Sequence, residues 1–209
     1  MVTLEEAAQF KEENLFRALE FAVFAKPAEE GDEEVTFAYD ESGIFVPEGY
    51  DPVGFTTKDD GATWSRNTEN SDDTSHGRSQ PTRRDITSDV SGLSFTAQES
   101  KRLTMELFWS QEIAEQVTEH GIYWDKATRP SPRRVRLLGV ATDLAESGLV
   151  VCARWLPNAQ LDEGSDQTWS DSAATTYPLS FTAFHSSTFG TAFREMWGGP
   201  GFDSTARGF

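Results

Sequence analysis

The order of apolar and polar positions divides the chain into short blocks. Thr3 followed by Glu6 forms a capping box, and Leu4, Ala8, Leu15 and Leu19 recur at helical spacing, which predicts a helix over about 3–19. Phe21, Val23 and Phe24 continue into a β-prone run that stops at Pro27, and the charged text from Ala28 to Glu34 reads as a turn or loop. Short strands are expected at 35–39, 43–47 and 53–57, separated by Gly, Pro and Asp. Residues 67–81, NTENSDDTSHGRSQP, hold no apolar side chain to set a period and are expected to form one long polar loop.

Order then resumes. Leu93, Phe95 and Ala97 alternate with Ser94 and Thr96, the period of a half-buried antiparallel strand. Leu103, Met105 and Leu107 continue that alternation, and a helical turn fits the same residues. Further strands are expected at 120–126, 133–142 and 149–156, the last two joined by a hairpin connection at Asp143 to Gly148. A polar linker, 157–175, leads to a final alternating run whose LSFTA at 179–183 repeats that at 93–97, and a Gly-rich arm, 198–209, ends the chain. Strand chemistry favours those five letters, so the repeat is read as convergence. Many short strands with little helix predict a mainly β fold, a β-sandwich or open barrel with one or two flanking helices, as one domain over 1–209.

Composition refines this picture. The 209 residues contain 37% hydrophobic side chains, enough for a folded core, and a single cysteine, Cys152, which excludes an intramolecular disulfide and a Cys-based zinc site. The acidic N-terminus has the wrong order of charge and apolar residues for a secretory signal, and no run approaches the ~18 apolar residues of a membrane span. The net charge of −17 disfavours gripping DNA, RNA or an anionic membrane, because bound phosphates are neutralised by Lys and Arg. Most of that charge sits in residues 1–73, whereas the middle third is slightly basic. This fits a solvated surface. It also fits an assembly in which acidic surfaces face a shared space and the middle meets acidic neighbours.

Candidate chemistry is sparse. His76, His120 and His185 are scattered, with no HExxH, and no GxSxG, P-loop or GxGxxG motif occurs. The many carboxylates place some pair at almost any distance, so a glycosidase reading gains nothing from them. Of six tryptophans, Trp124 and Trp155 lie in strand-like runs and are expected in the core. Trp169, inside the polar linker, is the candidate for an exposed contact, to a sugar or to a protein.

Three stretches carry a resemblance: GYDPVGFTTKDDGATWSR (49–66), RRDITSDVSGLSFTAQESKRLTMELF (83–108) with the preceding SHGR, and YPLSFTAFHSSTFGTAFREMWGGPGF (177–202). They resemble the major tail proteins, or tail tube subunits, of long-tailed siphophages, particularly those of actinobacterial hosts. The N-terminal acidic segment does not map onto that pattern. The resemblance implies a non-enzymatic virion protein made in the host cytoplasm, without cofactor or metal. It implies homo-oligomeric rings, generally of six, stacked into a tube around a tape measure protein and bounded by tail terminator and tail tip proteins. DNA would be passing cargo, not a sequence-specific ligand, and no membrane is involved. The 67–81 loop resembles the one that reaches a neighbouring ring, which makes Asp72, Asp73, Arg78, Arg83 and Arg84 the candidate inter-ring contacts. The alternatives are another virion component of similar fold, such as a terminator or decoration protein, and a carbohydrate-binding β-sandwich.

Overall fold

The computed structural model describes residues 8, 11–29, 33–58, 61–113, 116–129, 131, 133–162 and 164–209. Twelve strands are formed among them: β1 (Glu20–Pro27), β2 (Tyr39–Asp40), β3 (Gly43–Ile44), β4 (Asp51–Pro52), β5 (Ala62–Thr74), β6 (Pro81–Ala97), β7 (Gln116–Thr118), β8 (Gly121–Tyr123), β9 (Arg134–Ala145), β10 (Gly148–Leu161), β11 (Tyr177–Ala183) and β12 (Arg194–Gly198), with one α-helix, α1 (Arg102–Trp109). Eight strands form one antiparallel sheet in the order β4-β1-β9-β10-β11-β6-β5, and β12 also pairs with β10. The pairs β2–β3 and β7–β8 are separate two-stranded ribbons. The fold is mainly β, as the strand spacing predicted.

One edge of β10 serves two partners. Its first half, Val151 to Trp155, pairs with β12, and its end, Ala159 to Leu161, pairs with β11. The break falls at a register shift between Leu156 and Ala159, containing Pro157, which cannot donate a ladder hydrogen bond. The sheet therefore turns there and curls. Val23 and Ala25 of β1, Leu137 of β9, and Leu93, Phe95 and Phe181 of β6 and β11 enter a single apolar cluster, closed at one end by Leu107 and Phe108 of α1. Trp64 of β5 reaches β9, four strands away in the order, where its Cζ2 lies 2.7 Å from the position a Cβ on Gly139 would take. This is an open barrel packed with side chains. A second cluster covers the opposite face of β9 and β10, with Leu138, Val140, Val151, Ala153 and Trp155 under Val35, Ala38 and Tyr50. Trp155 is fully buried and its Nε1–H donates to the Tyr50 hydroxyl at 2.7 Å. Strands β9 and β10 are thus apolar on both faces, which explains their near-continuous hydrophobic text.

The two LSFTA copies are neighbours. Leu93 lies opposite Phe181 and Phe95 opposite Leu179, so the pentapeptides pair antiparallel about Ser94 and Ser180, whose hydroxyls are 3.1 Å apart. The Leu, Ser and Phe of one copy thus face the Phe, Ser and Leu of the other, whereas Thr96 faces Pro178 and Thr182 faces Gly92.

Several expectations need correction. Residues 3–7, 9 and 10 of the anticipated 3–19 helix lie outside the described residues. Beyond them only Glu12–Asn14 make a 3-10 turn, and Leu15 is already extended at φ −70, ψ 138. The Leu19 N–H donates to the Thr142 carbonyl at 2.9 Å, so pairing with β9 overrides the helical spacing. The 67–81 loop is strand for most of its length. The 157–175 linker begins inside β10 and becomes irregular only after Leu161. The ambiguous 102–109 segment is helical, ended by Ser110 in the left-handed region. The 198–209 arm folds back through a Gly201 N–H bond to the Leu149 carbonyl. Trp124 is outside every strand and packs on Trp109 at 5.6 Å.

Candidate assembly interface

The most distinctive surface is the outer part of the β5–β6 hairpin. Near its base, Ala62 and Trp64 face Phe95 and Leu93 and are anchored in the core. From Arg66 outward every β5 residue is exposed, and β6 is exposed from Pro81 to Thr87. At about 3.4 Å per residue, residues 66–74 carry the ribbon roughly 30 Å from the body. Two-stranded ribbons in water gain little from burial. Here ion pairs between the strands add to a register set by the backbone ladder from the core-anchored base.

Asp72 and Arg84 are direct cross-strand partners in a two-pronged bridge, with Nε to Oδ1 at 2.6 Å and Nη2 to Oδ2 at 2.8 Å. The Arg84 hydrogen bonds hold the Asp72 carboxyl below its ordinary range. Arg83 lies opposite Asp73 but turns along its own strand to Asp85, Nε to Oδ1 2.9 Å. The Asp73 backbone carbonyl accepts from the Thr82 hydroxyl at 3.1 Å, while Arg78 sits in the tip turn, its N–H donating to Ser75 O at 3.2 Å. Among the described residues neither the Asp73 carboxylate nor the Arg78 guanidinium forms an ion pair. Four of the five candidate residues therefore lie on facing strands and Arg78 at the tip. A further pair, Arg66–Asp89 (Nη2 to Oδ2 2.6 Å), escaped the sequence reading, because a diagonal contact 23 residues apart is visible only once the register is known. At the far end Ser75, Thr82 and the turn at His76 and Gly77 make the tip polar.

Elsewhere the charged groups do structural work. Glu106 on α1 is buried, which alone would raise its pKa. Hydrogen bonds from Arg102 (2.8 Å), the Ile113 N–H (3.1 Å) and Arg133 (3.1 Å) outweigh that and hold it below the ordinary carboxyl range. Burial, reinforced by the Glu195 charge, pushes the Cys152 thiol up to about 11, the behaviour of a packing residue. Groups of three or more His, Cys, Asp and Glu fit to hold a metal are absent among the described residues. Among them, no helix is long and apolar enough to cross a membrane.

An apolar-cored open barrel with a long, polar, ion-paired ribbon defines a mainly β protein. The chain belongs to the phage tail tube protein family, whose profile matches residues 25–194. It is a structural component of a virion tail. The match leaves out residues 1–24 but takes in 28–34, the AEEGDEE stretch that, with the N-terminal segment, did not map onto the family pattern. No curated protein matches the chain. Among solved structures it is similar to a crystal structure of Hcp protein, at 13% identity and a TM-score of 0.32, covering 83% of this chain and 97% of that one. The assignment rests on the family match.

Proposed function

We propose that this chain is the repeating subunit of the tail tube and that it self-assembles into rings, generally of six, which stack into the conduit for genome delivery. The observation that carries the reading is the β5–β6 ribbon. It projects roughly 30 Å, has no core beneath it, and is set with charges of both signs. Such a ribbon gains little free energy until a second surface covers it. Asp72, Asp73, Arg78, Arg83 and Arg84 then serve as contacts to the next ring. At the same time β5 ends the strand order, so the edge of Ala62 to Thr74 is open to the sheet of a neighbouring copy, and ring closure would remove this exposed edge. The tape measure protein would fill the tube before ejection, with terminator and tip proteins at its ends. With −17 per chain, acids facing the bore would repel DNA phosphates and let the duplex slide. The whole chain, 1–209, acts as one tube domain in this reading.

Electron microscopy of the purified full-length protein tests it. Stacked rings with a central channel are expected, and a protein that stays monomeric at high concentration and is absent from particles would overturn it. Copy number in purified particles separates a tube subunit, among the most abundant proteins there, from a terminator present as one ring.

A further inference from the structure

Trp169 is 83% exposed, on the segment between β10 and β11. A tryptophan held in water is unfavourable unless something covers it, and exposed indoles on polar segments recur as anchors of protein contacts. The same chain contains an apolar groove of about 550 Å³ where the curled sheet fails to close, between β5 on one side and β1, β9 and β10 on the other. Phe16, Phe21, Trp64 and Trp197 line it, with Lys58 and Arg154 beside them.

Within one chain this side chain stays out of the groove, since Trp169 is exposed and is not among the residues that line it. Ser165, four residues before Trp169, lies against Thr63, Ser94 and Ser180, on the outer face of β5, β6 and β11. Trp64 and its partner Leu93 point to the other face, into the barrel. The exposed indole and the groove are therefore two different patches of the chain. That is the geometry of a head-to-tail contact, in which two different patches meet between successive copies.

Charge points to the same occupant. Residues 162–171 hold four acids and no base, and Asp166 and Asp171 flank the indole. Lys58 lines the groove and Arg207 stacks over Trp197 at 5.4 Å, while Arg154 is bridged to Glu195 at 2.7 Å. Lys58 beside an apolar floor, in a chain of net −17, complements an acidic loop carrying an aromatic.

We infer that Trp169 of one copy inserts into the Phe16–Trp64–Trp197 groove of an adjacent copy, with Asp166 and Asp171 against Lys58. The inference rests on the self-assembly proposed above. Its test uses the full chain with a photoreactive benzoylphenylalanine in place of Trp169, irradiated after assembly, with crosslinked peptides mapped by mass spectrometry. Crosslinks between chains to 58–64, 139–141 or 197 are expected. Trp169→Ala, which removes only an exposed side chain, is expected to raise the concentration needed for assembly at least about tenfold while leaving the circular dichroism spectrum unchanged. If tubes form but the crosslinks fall elsewhere or within one chain, or Trp169→Ala assembles like the parent protein, the inference is overturned and the tube reading stands. A parent protein that never assembles overturns both.

Discussion

Trp64 and Gly139 meet where the sheet comes round on itself: the indole occupies the space that any side chain at position 139 would need, 2.7 Å from the Cβ position. The glycine is required for approach, since its backbone lies within a regular strand. Gly139→Ala must push the indole off β9, and overpacking of this kind costs about 1–3 kcal/mol. A lowered denaturation midpoint is expected, restored in part by Trp64→Leu in the same chain. An unchanged midpoint would show that the indole yields freely.

Tyr50→Phe takes away the acceptor for the Trp155 Nε1–H, in a position where Trp155 has no exposed surface. A buried donor left without its partner costs about 1–3 kcal/mol. Urea unfolding should show that loss with little change in the denaturant slope, because the surface exposed on unfolding is nearly the same.

Glu106 ties α1 to the start of β9, and its folded pKa lies below the unfolded value of 4.5. A depressed carboxyl stabilises the fold fully above its unfolded pKa and ceases to do so as the pH falls through its folded one. Stability of the parent protein should therefore drop below about pH 4.5 in part through this group. Glu106→Gln is expected to cost about 1–3 kcal/mol at pH 7, towards the lower end because Arg102 is half exposed, and to flatten the acid limb of the stability curve. Thermal unfolding across pH 3–7 measures both.

The Asp72–Arg84 bridge stands in water, so reversing one end should leave the melting temperature essentially unchanged. Assembly is the sensitive readout. Arg84→Asp places two carboxylates face to face on the ribbon and is expected to abolish or sharply reduce tube formation by sedimentation. The exchanged pair, Asp72→Arg with Arg84→Asp, should recover the ribbon's register. Full assembly by the single variant would remove the ribbon from the interface.

What could be read from the sequence follows burial. β6, β9, β10 and β11 have one or both faces in the core, so Leu93, Phe95, Leu137 and Trp155 announce them by period or by continuous apolar text. The outer hairpin has no such signal. Residues 67–74 are strand because Trp64 and Leu93 set a register at the base and Asp72 and Arg84 maintain it further out, and a rule built on apolar alternation cannot register a strand wetted on both faces. Leu15 and Leu19 misled in the opposite sense, since helical spacing was overruled by backbone N–H bonds from Leu19 to the Thr142 carbonyl and from Arg17 to the Asp143 carboxylate, both distant in sequence. The five candidate contacts were legible as a charged cluster, whereas the Asp72–Arg84 pairing within it was not. The groove was illegible, because its walls come from five strands brought together only by the curl.

The same ribbon bears on how a polymer of this chain would begin. Ordering each of its residues costs about 1–2 kcal/mol of backbone entropy, and an isolated subunit has little buried surface there to set against it. A subunit meeting a finished ring finds a template already in place, whereas two free subunits must order both partners at once. Growth from an existing end would then be favoured over spontaneous initiation, so tube formation should show a lag that preformed rings abolish.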